Sequence, residues 1–104
     1  MVPIEKVKDI INQHNSLEKE LSSGDVDPKL FAKKSKEYSR LGSIISVARK
    51  FINFENEKKD LTNMIQDKTN DKEMMDLAEK DLIELTKKKE KYENDLKLFL
   101  LPKD

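Results

Sequence analysis

The sequence predicts an all-α fold, an elongated bundle of three long helices in which two form an antiparallel, coiled-coil-like hairpin. Apolar residues recur at steps of three and four along most of the 104 residues, the pattern of the buried stripe of an amphipathic helix. Only two glycines and three prolines are present, too few for the many turns of a sheet protein. Charged residues make up 40% of the chain, so each helix can bury only a narrow stripe.

The first helix is predicted at residues 3–22. Its apolar stripe consists of Val7, Ile10, Ile11, His14, Leu17 and Leu21. Pro3 suits the first turn, because its missing N–H would be unpaired there in any residue. Residues 22–25, which include Gly24, provide a stop signal.

The second helix is predicted at residues 28–66, where Asp27 and Pro28 provide an N-cap and a first helical residue. One seam consists of Phe31, Tyr38, Leu41, Ile45, Ala48 and Ile52, and another of Ile44, Val47, Phe51, Phe54, Leu61 and Ile65. Two seams on one helix require two neighbours. We therefore expect the first helix against the earlier seam and the third helix against the later one, with a candidate kink at Gly42 and Ser43.

The third helix is predicted at residues 71–101, after a turn at residues 66–69 and a capping box formed by Asn70 and Glu73. Its a/d positions are Met75, Ala78, Leu82, Leu85, Lys89, Tyr92, Leu96 and Phe99. Pro102 ends the pattern. Some 30 residues at about 1.5 Å each make a rod of about 45 Å, so the second and third helices should form a long hairpin.

Charge and composition narrow the classes of function. The 21 basic and 21 acidic side chains cancel, which argues against a surface that binds nucleic acid or anionic lipid as a whole. No cysteine is present, which excludes disulfides and thiolate metal sites. No apolar run approaches the roughly 20 residues of a membrane span, so we expect no membrane association and a cytoplasmic location. Residues 1–104 are expected to form a single helical domain.

The sequence offers no catalytic, cofactor-binding or metal-binding residues, and the chain is expected not to be an enzyme. His14 lies on an apolar stripe without the partners that a ligand or a base needs, so it is interpreted as a packed histidine. Met64, Met74 and Met75 are interpreted as core residues rather than a soft binding surface. The lysines at positions 87, 88, 89 and 91 alternate with acidic residues, the pattern of a solvated helix face.

Three segments resemble the N-terminal helical domain of the bacterial peptide chain release factor 1 family, whose members are class I release factors. Residues 35–41, SKEYSRL, are similar to the family's serine-x-glutamate-tyrosine-x-x-leucine segment. Residues 71–82, DKEMMDLAEKDL, resemble the acidic, methionine-alanine start of its next long helix. Residues 100–104, LLPKD, match the end of that domain and favour members that read UAA and UAG over the paralogue that reads UAA and UGA.

The resemblance implies a role in translation termination at UAA and UAG stop codons. The family reads the codon with a proline-x-threonine tripeptide and promotes peptidyl-tRNA hydrolysis with a glycine-glycine-glutamine loop, and neither occurs in these 104 residues. The decoding and catalytic domains are therefore expected outside this chain. In the family the first domain faces the large-subunit stalk base of the ribosome and is implicated in contacts with the recycling GTPase. These are the expected partners, with no direct nucleic-acid site in this chain.

Two other classes of function fit a helical hairpin. One is a tRNA-binding helical arm, as on seryl-tRNA synthetases, although its excess of basic charge is missing here and the first helix is additional. The other is a structural coiled-coil or holdase subunit, which would be an obligate oligomer. The two seams of the second helix can be satisfied within one chain, which argues against an obligate oligomer.

Overall fold

The computed structural model describes residues 2–102, and none of these residues lies in a β-strand. The chain forms four helices: α1 (Ile4–Ser23), α2 (Pro28–Gly42), α3 (Ile45–Gln66) and α4 (Lys72–Leu100). The molecule is elongated, with extents of 61 × 33 × 19 Å. The all-α prediction is confirmed. The prediction of three long helices is wrong, because the segment predicted as one helix at residues 28–66 consists of α2 and α3.

The break between α2 and α3 lies at Gly42, Ser43 and Ile44, where the sequence predicted only a kink. The Ser43 hydroxyl donates to the carbonyl of Arg40 over 2.7 Å, and the Ile44 N–H donates to the carbonyl of Leu41 over 3.1 Å. Glycine adds backbone freedom at this point, and a serine hydroxyl competes for helix carbonyls. Leu41 and Ile44 are both buried, so the break holds two large side chains in the core.

The other helix ends follow the sequence signals closely. Gly24 ends α1 in the left-handed region with φ 78°, and the Asp27 carboxylate caps α2 by accepting from the Lys29 N–H over 2.9 Å. The predicted capping box at Asn70 and Glu73 is wrong by one residue. Asp71 is the N-cap of α4 and accepts from the Met74 N–H over 2.8 Å, which places a carboxylate at the positive end of the helix dipole.

The main core lies at one end of the molecule, where α1, the end of α2, the start of α3 and the end of α4 meet. Its buried members are Val2, Val7, Ile10, Leu41, Ile44, Ala48, Phe51 and Leu96. Helix α1 packs on α2, as expected, and also on α3, while α3 and α4 form the predicted antiparallel hairpin. Towards its tip the hairpin is only two helices thick.

The predicted seam of α4 is confirmed, since each of its eight positions is buried or half-buried. Phe31 was expected in the earlier seam of the second helix, and this prediction is wrong, because the Phe31 side chain is 53% exposed. The reason lies on α1. Glu20 pairs with Lys34, and the apolar stripe of α1 ends at Leu21, so the first part of α2 lies beside the polar end of α1.

Replacing Gly42 with Ala should raise the free energy of unfolding by about 0.5 kcal/mol, because alanine favours the helical end of α2 and its Cβ would meet no atom within 4 Å. Gly24→Ala is the matched control. The same open space surrounds Gly24, but its φ of 78° strains an L side chain. The free energy of unfolding of the Gly24→Ala variant should therefore fall by about 1 kcal/mol. Urea unfolding followed by circular dichroism measures both. Equal effects of the two substitutions would contradict the helical backbone described for Gly42 and the left-handed backbone described for Gly24.

Candidate interaction surface

An open groove runs between α3 and α4 on one face of the hairpin. It has a volume of about 360 Å³ and is lined by Glu57, Asp60, Leu61, Asp81, Glu84, Leu85 and Lys88. The Leu85 side chain is buried and that of Leu61 is half-buried, whereas all the charged lining residues are exposed. The groove therefore has an apolar floor and an acidic rim. We call it the hairpin groove.

The negative charge of the rim is not neutralised within the described part of the chain. None of its four carboxylates forms an ion pair among residues 2–102, and Glu57 accepts a hydrogen bond from the neutral amide of Asn53 over 3.0 Å. Elsewhere opposite charges do pair, as between Arg40 and Glu37 at 2.7 Å. Four carboxylates and one lysine line the groove, which gives it an excess of negative charge in a chain whose net charge is zero.

Exposed apolar side chains extend the same face towards the hairpin tip. Met64 follows Asp60 by four residues and Leu77 precedes Asp81 by four, so each lies one helical turn nearer the tip. Met64 is 36% exposed, Met74 46% and Leu77 59%. The prediction that the methionines fill the core is wrong for Met64 and Met74, because no third helix covers the tip.

The tip turn is stabilised by polar side chains. Asp67 accepts hydrogen bonds from the Thr69 hydroxyl over 2.6 Å and from the Thr69 N–H over 2.9 Å, and these bonds lower the pKa of the Asp67 carboxyl. The Asn70 amide donates to the carbonyl of Met64 over 3.1 Å. These bonds order the turn between α3 and α4 and join it to the backbone of α3 at Met64.

A second groove, of about 390 Å³, lies at the opposite end of the molecule, between α1, the end of α2 and the end of α4. The Arg40 guanidinium stacks 4.6 Å above the Phe99 ring centroid, and Glu37 accepts two hydrogen bonds from it, over 2.7 and 3.0 Å. The pKa of Arg40 is raised by the bonds to Glu37. The Arg40 guanidinium of this groove is therefore already paired inside the chain, and Lys6 is its other basic lining residue.

His14 is buried, as expected, and its ring stacks on Tyr38 with centroids 4.8 Å apart. Burial and then the nearby Glu18 carboxylate raise the pKa of the Tyr38 hydroxyl, which donates to Glu18 over 3.3 Å.

No group of three or more histidine, aspartate or glutamate side chains within residues 2–102 is arranged to hold a metal ion. Nor does the described part of the chain include a helix long and apolar enough to cross a bilayer.

The run of lysines on α4 forms a solvated face, as predicted. Lys87, Lys88 and Lys91 are exposed. The ammonium of Lys89 lies 4.7 Å from the Phe54 ring centroid and 3.9 Å from a Glu93 carboxylate oxygen. This lysine is packed as well as paired, which agrees with its place in the predicted seam.

These features define an elongated helical module whose surfaces, rather than any enclosed cavity, are its candidate sites. A family model described as the PCRF domain matches residues 10–104. The chain therefore belongs to the PCRF domain family, and the release-factor resemblance of the three segments is confirmed. Two of them lie on α2 and at the start of α4. The third is described only as far as Pro102, because Lys103 and Asp104 lie outside the described residues.

Curated relatives align along nearly the whole chain. It is 52% identical over 104 residues to "Peptide chain release factor 1" of Pelagibacter ubique, an alignment that covers 100% of the chain and 29% of that protein. Identity to the proteins of the same name is 34% for Rhizobium rhizogenes, covering 28% of that protein, and 30% for Oceanobacillus iheyensis, covering 29%. The chain thus spans less than a third of these relatives. No solved structure matches it.

Proposed function

We propose that the chain is the N-terminal domain of a peptide chain release factor that acts in translation termination at UAA and UAG stop codons. The observation that carries the proposal is the alignment of all 104 residues, at 52% identity, with a protein named as a peptide chain release factor. The PCRF domain match over residues 10–104 supports the same function. The PCRF domain match favours neither a tRNA-binding synthetase arm nor a structural coiled-coil subunit.

The domain does not itself perform the release reaction in this proposal. The sequence contains neither a proline-x-threonine tripeptide nor adjacent glycines, so codon reading and peptidyl-tRNA hydrolysis are assigned to other parts of the complete factor. The helical domain serves contacts with the stalk base of the large ribosomal subunit and with the recycling GTPase. Its partners are thus reached through the complete protein.

The shape of the molecule supports a docking role. Its helices hold exposed residues such as Leu77 on a body 61 Å long, and the hydrogen-bonded tip turn fixes the two ends of the hairpin to each other. A surface that is already ordered loses little conformational entropy when a partner binds. A charge-balanced rod with one acidic groove also avoids general attraction to ribosomal RNA.

The proposal is tested by a chimera in which residues 1–104 replace the aligned residues of the Pelagibacter ubique factor. Release of labelled peptide from ribosomes stalled at UAA, UAG, UGA or a sense codon is measured. We expect the chimera to release peptide at UAA and UAG, and the 104-residue chain alone to release none. Stop-dependent release by the chain alone would overturn the proposed division of tasks. A folded chimera without release at any stop codon would overturn the proposed function.

A further inference from the structure

We propose that the hairpin groove, together with Met64, Met74 and Leu77, docks a basic amphipathic helix of a partner protein. The inference rests on the proposed docking function and names the surface and the kind of partner. It starts from a contrast within the chain. The groove at the core end is lined by residues of α1, α2 and the end of α4, whereas the hairpin groove has only α3 and α4 as walls.

The apolar part of the surface fits the side chains of one helix. Two antiparallel helices leave a linear furrow between them, and a third helix laid along such a furrow buries side chains spaced three and four residues apart. Leu61 and Leu85 form the floor, and Met64 and Leu77 continue it towards the tip. Methionine suits such a surface because its flexible thioether adapts to different apolar partners.

The negative charge of the rim favours a partner helix whose polar face carries lysine or arginine. Glu57, Asp60, Asp81 and Glu84 stand against Lys88 as the single cation of the groove. These carboxylates form no ion pair within residues 2–102, so a lysine or arginine from outside can pair with them without displacing an internal ion pair. The same charge repels phosphates, which favours a protein segment over RNA.

The acidic residues are placed along the two edges of the groove, which supports a binding role rather than a general solvated surface. Glu57 and Asp60 are three residues apart on α3, as are Asp81 and Glu84 on α4, so each pair lies along one edge of the furrow. The two edges face each other across the apolar floor. A basic helix with one apolar stripe would place its leucines between the edges and its cations on both sides.

Binding is measured with the 104-residue chain and a fluorescently labelled amphipathic peptide of about 18 residues, composed of leucine and lysine with the leucines on one helical face. A scrambled peptide of the same composition tests the need for that face. A leucine-glutamate peptide of the same pattern tests the charge. We expect the leucine-lysine peptide to bind at least about fivefold more tightly than either control, and its affinity to fall between about 50 mM and 300 mM salt.

Two variants of the chain locate the site. The double variant Asp60→Asn, Asp81→Asn should lower the affinity for the leucine-lysine peptide by about fivefold. Leu77→Ser should lower it by about threefold, since each variant removes exposed contacts of modest strength. The matched control is Glu79→Gln with Glu90→Gln, which removes the same charge from exposed positions on the opposite side of α4 and should leave affinity within about twofold. Circular dichroism confirms that all variants remain helical.

Equal binding of the scrambled peptide, or an equal loss in the groove and control variants, would overturn the proposal, because either result means nonspecific attraction. Tighter binding of a short RNA hairpin than of the leucine-lysine peptide would overturn it as well. The outcome is separable from that of the release assay. A chimera that releases peptide although the groove binds no basic helix leaves the proposed function standing and removes only the docking site.

Discussion

Replacing Leu96 with Asp is expected to remove a large part of the chain's free energy of unfolding. Leu96 is 0% exposed and belongs to the main core with Val7 and Leu41. A carboxylate there loses its hydration and finds no partner, and the variant also loses the apolar contacts of the leucine. The cost should be about 3 to 5 kcal/mol, against a total stability of about 5 to 10 kcal/mol for a domain of this size.

Leu98→Asp is the matched control for this variant. Leu98 lies two residues further along the same helix and is 69% exposed, so the same substitution should cost only about 1 kcal/mol, from the lower helix propensity of aspartate and its place near the negative end of the helix dipole. Urea unfolding of both variants, followed by circular dichroism, gives the difference directly. If the two variants unfold at the same urea concentration, Leu96 is not in the core described here.

Enlarging Ala48 to Leu is expected to cost about 2 kcal/mol. Ala48 is 0% exposed, on the first turns of α3 within the main core, where it lets neighbouring helices approach closely. Added methyl groups at such a position force other side chains off their preferred rotamers or move the backbone. The melting temperature and the urea midpoint should both fall, while the helical content at low temperature stays close to that of the parent chain.

The same substitution at Ala32 separates the effect of crowding from that of the leucine itself. Ala32 lies on α2 and is exposed, and leucine is nearly as good a helix former as alanine. Ala32→Leu should therefore change the free energy of unfolding by less than about 0.5 kcal/mol. A stabilised Ala48→Leu variant would mean that an unfilled space adjoins Ala48 and that the core is looser than described.

The parts of the fold that the sequence predicts are those decided by local chemistry. The a/d pattern of α4 identifies Leu85 and Leu96 as buried, because a helix of 29 residues repeats the pattern several times. The caps at Gly24 and Asp27 depend on single residues with strong backbone preferences, and both lie where expected. These features need no knowledge of what packs on the helix.

The errors occur where a distant part of the chain decides the outcome. The second helix was predicted to continue past Gly42 and Ser43 with at most a kink. These two residues permit either a kink or a helix end, and in the structure the helix ends there with Leu41 and Ile44 both buried in the core. Phe31 fits the seam of its own helix equally well. Its exposure follows from the end of the stripe on α1, which is set by a different segment.

The hairpin groove was not predicted from the sequence, for the same reason. Asp60 and Asp81 are 21 positions apart in a chain with many acidic residues, and each alone is typical of a solvated helix face. They become one surface only through the register between α3 and α4. A usable signal was nevertheless present, since both acidic pairs adjoin a seam leucine, Leu61 on α3 and Leu85 on α4.

Because the molecule is thick at one end and thin at the other, a small rotation at the thick end displaces the thin end by a larger distance. Three or more helices meet around Leu96, whereas the last turns before Asp67 and after Asp71 are supported only by each other. With α4 about 44 Å long at 1.5 Å per residue, a rotation of about 5° at the thick end would carry the tip through about 4 Å. Small adjustments of angle where the hairpin is anchored are thereby converted into displacements as large as a side chain at the far end.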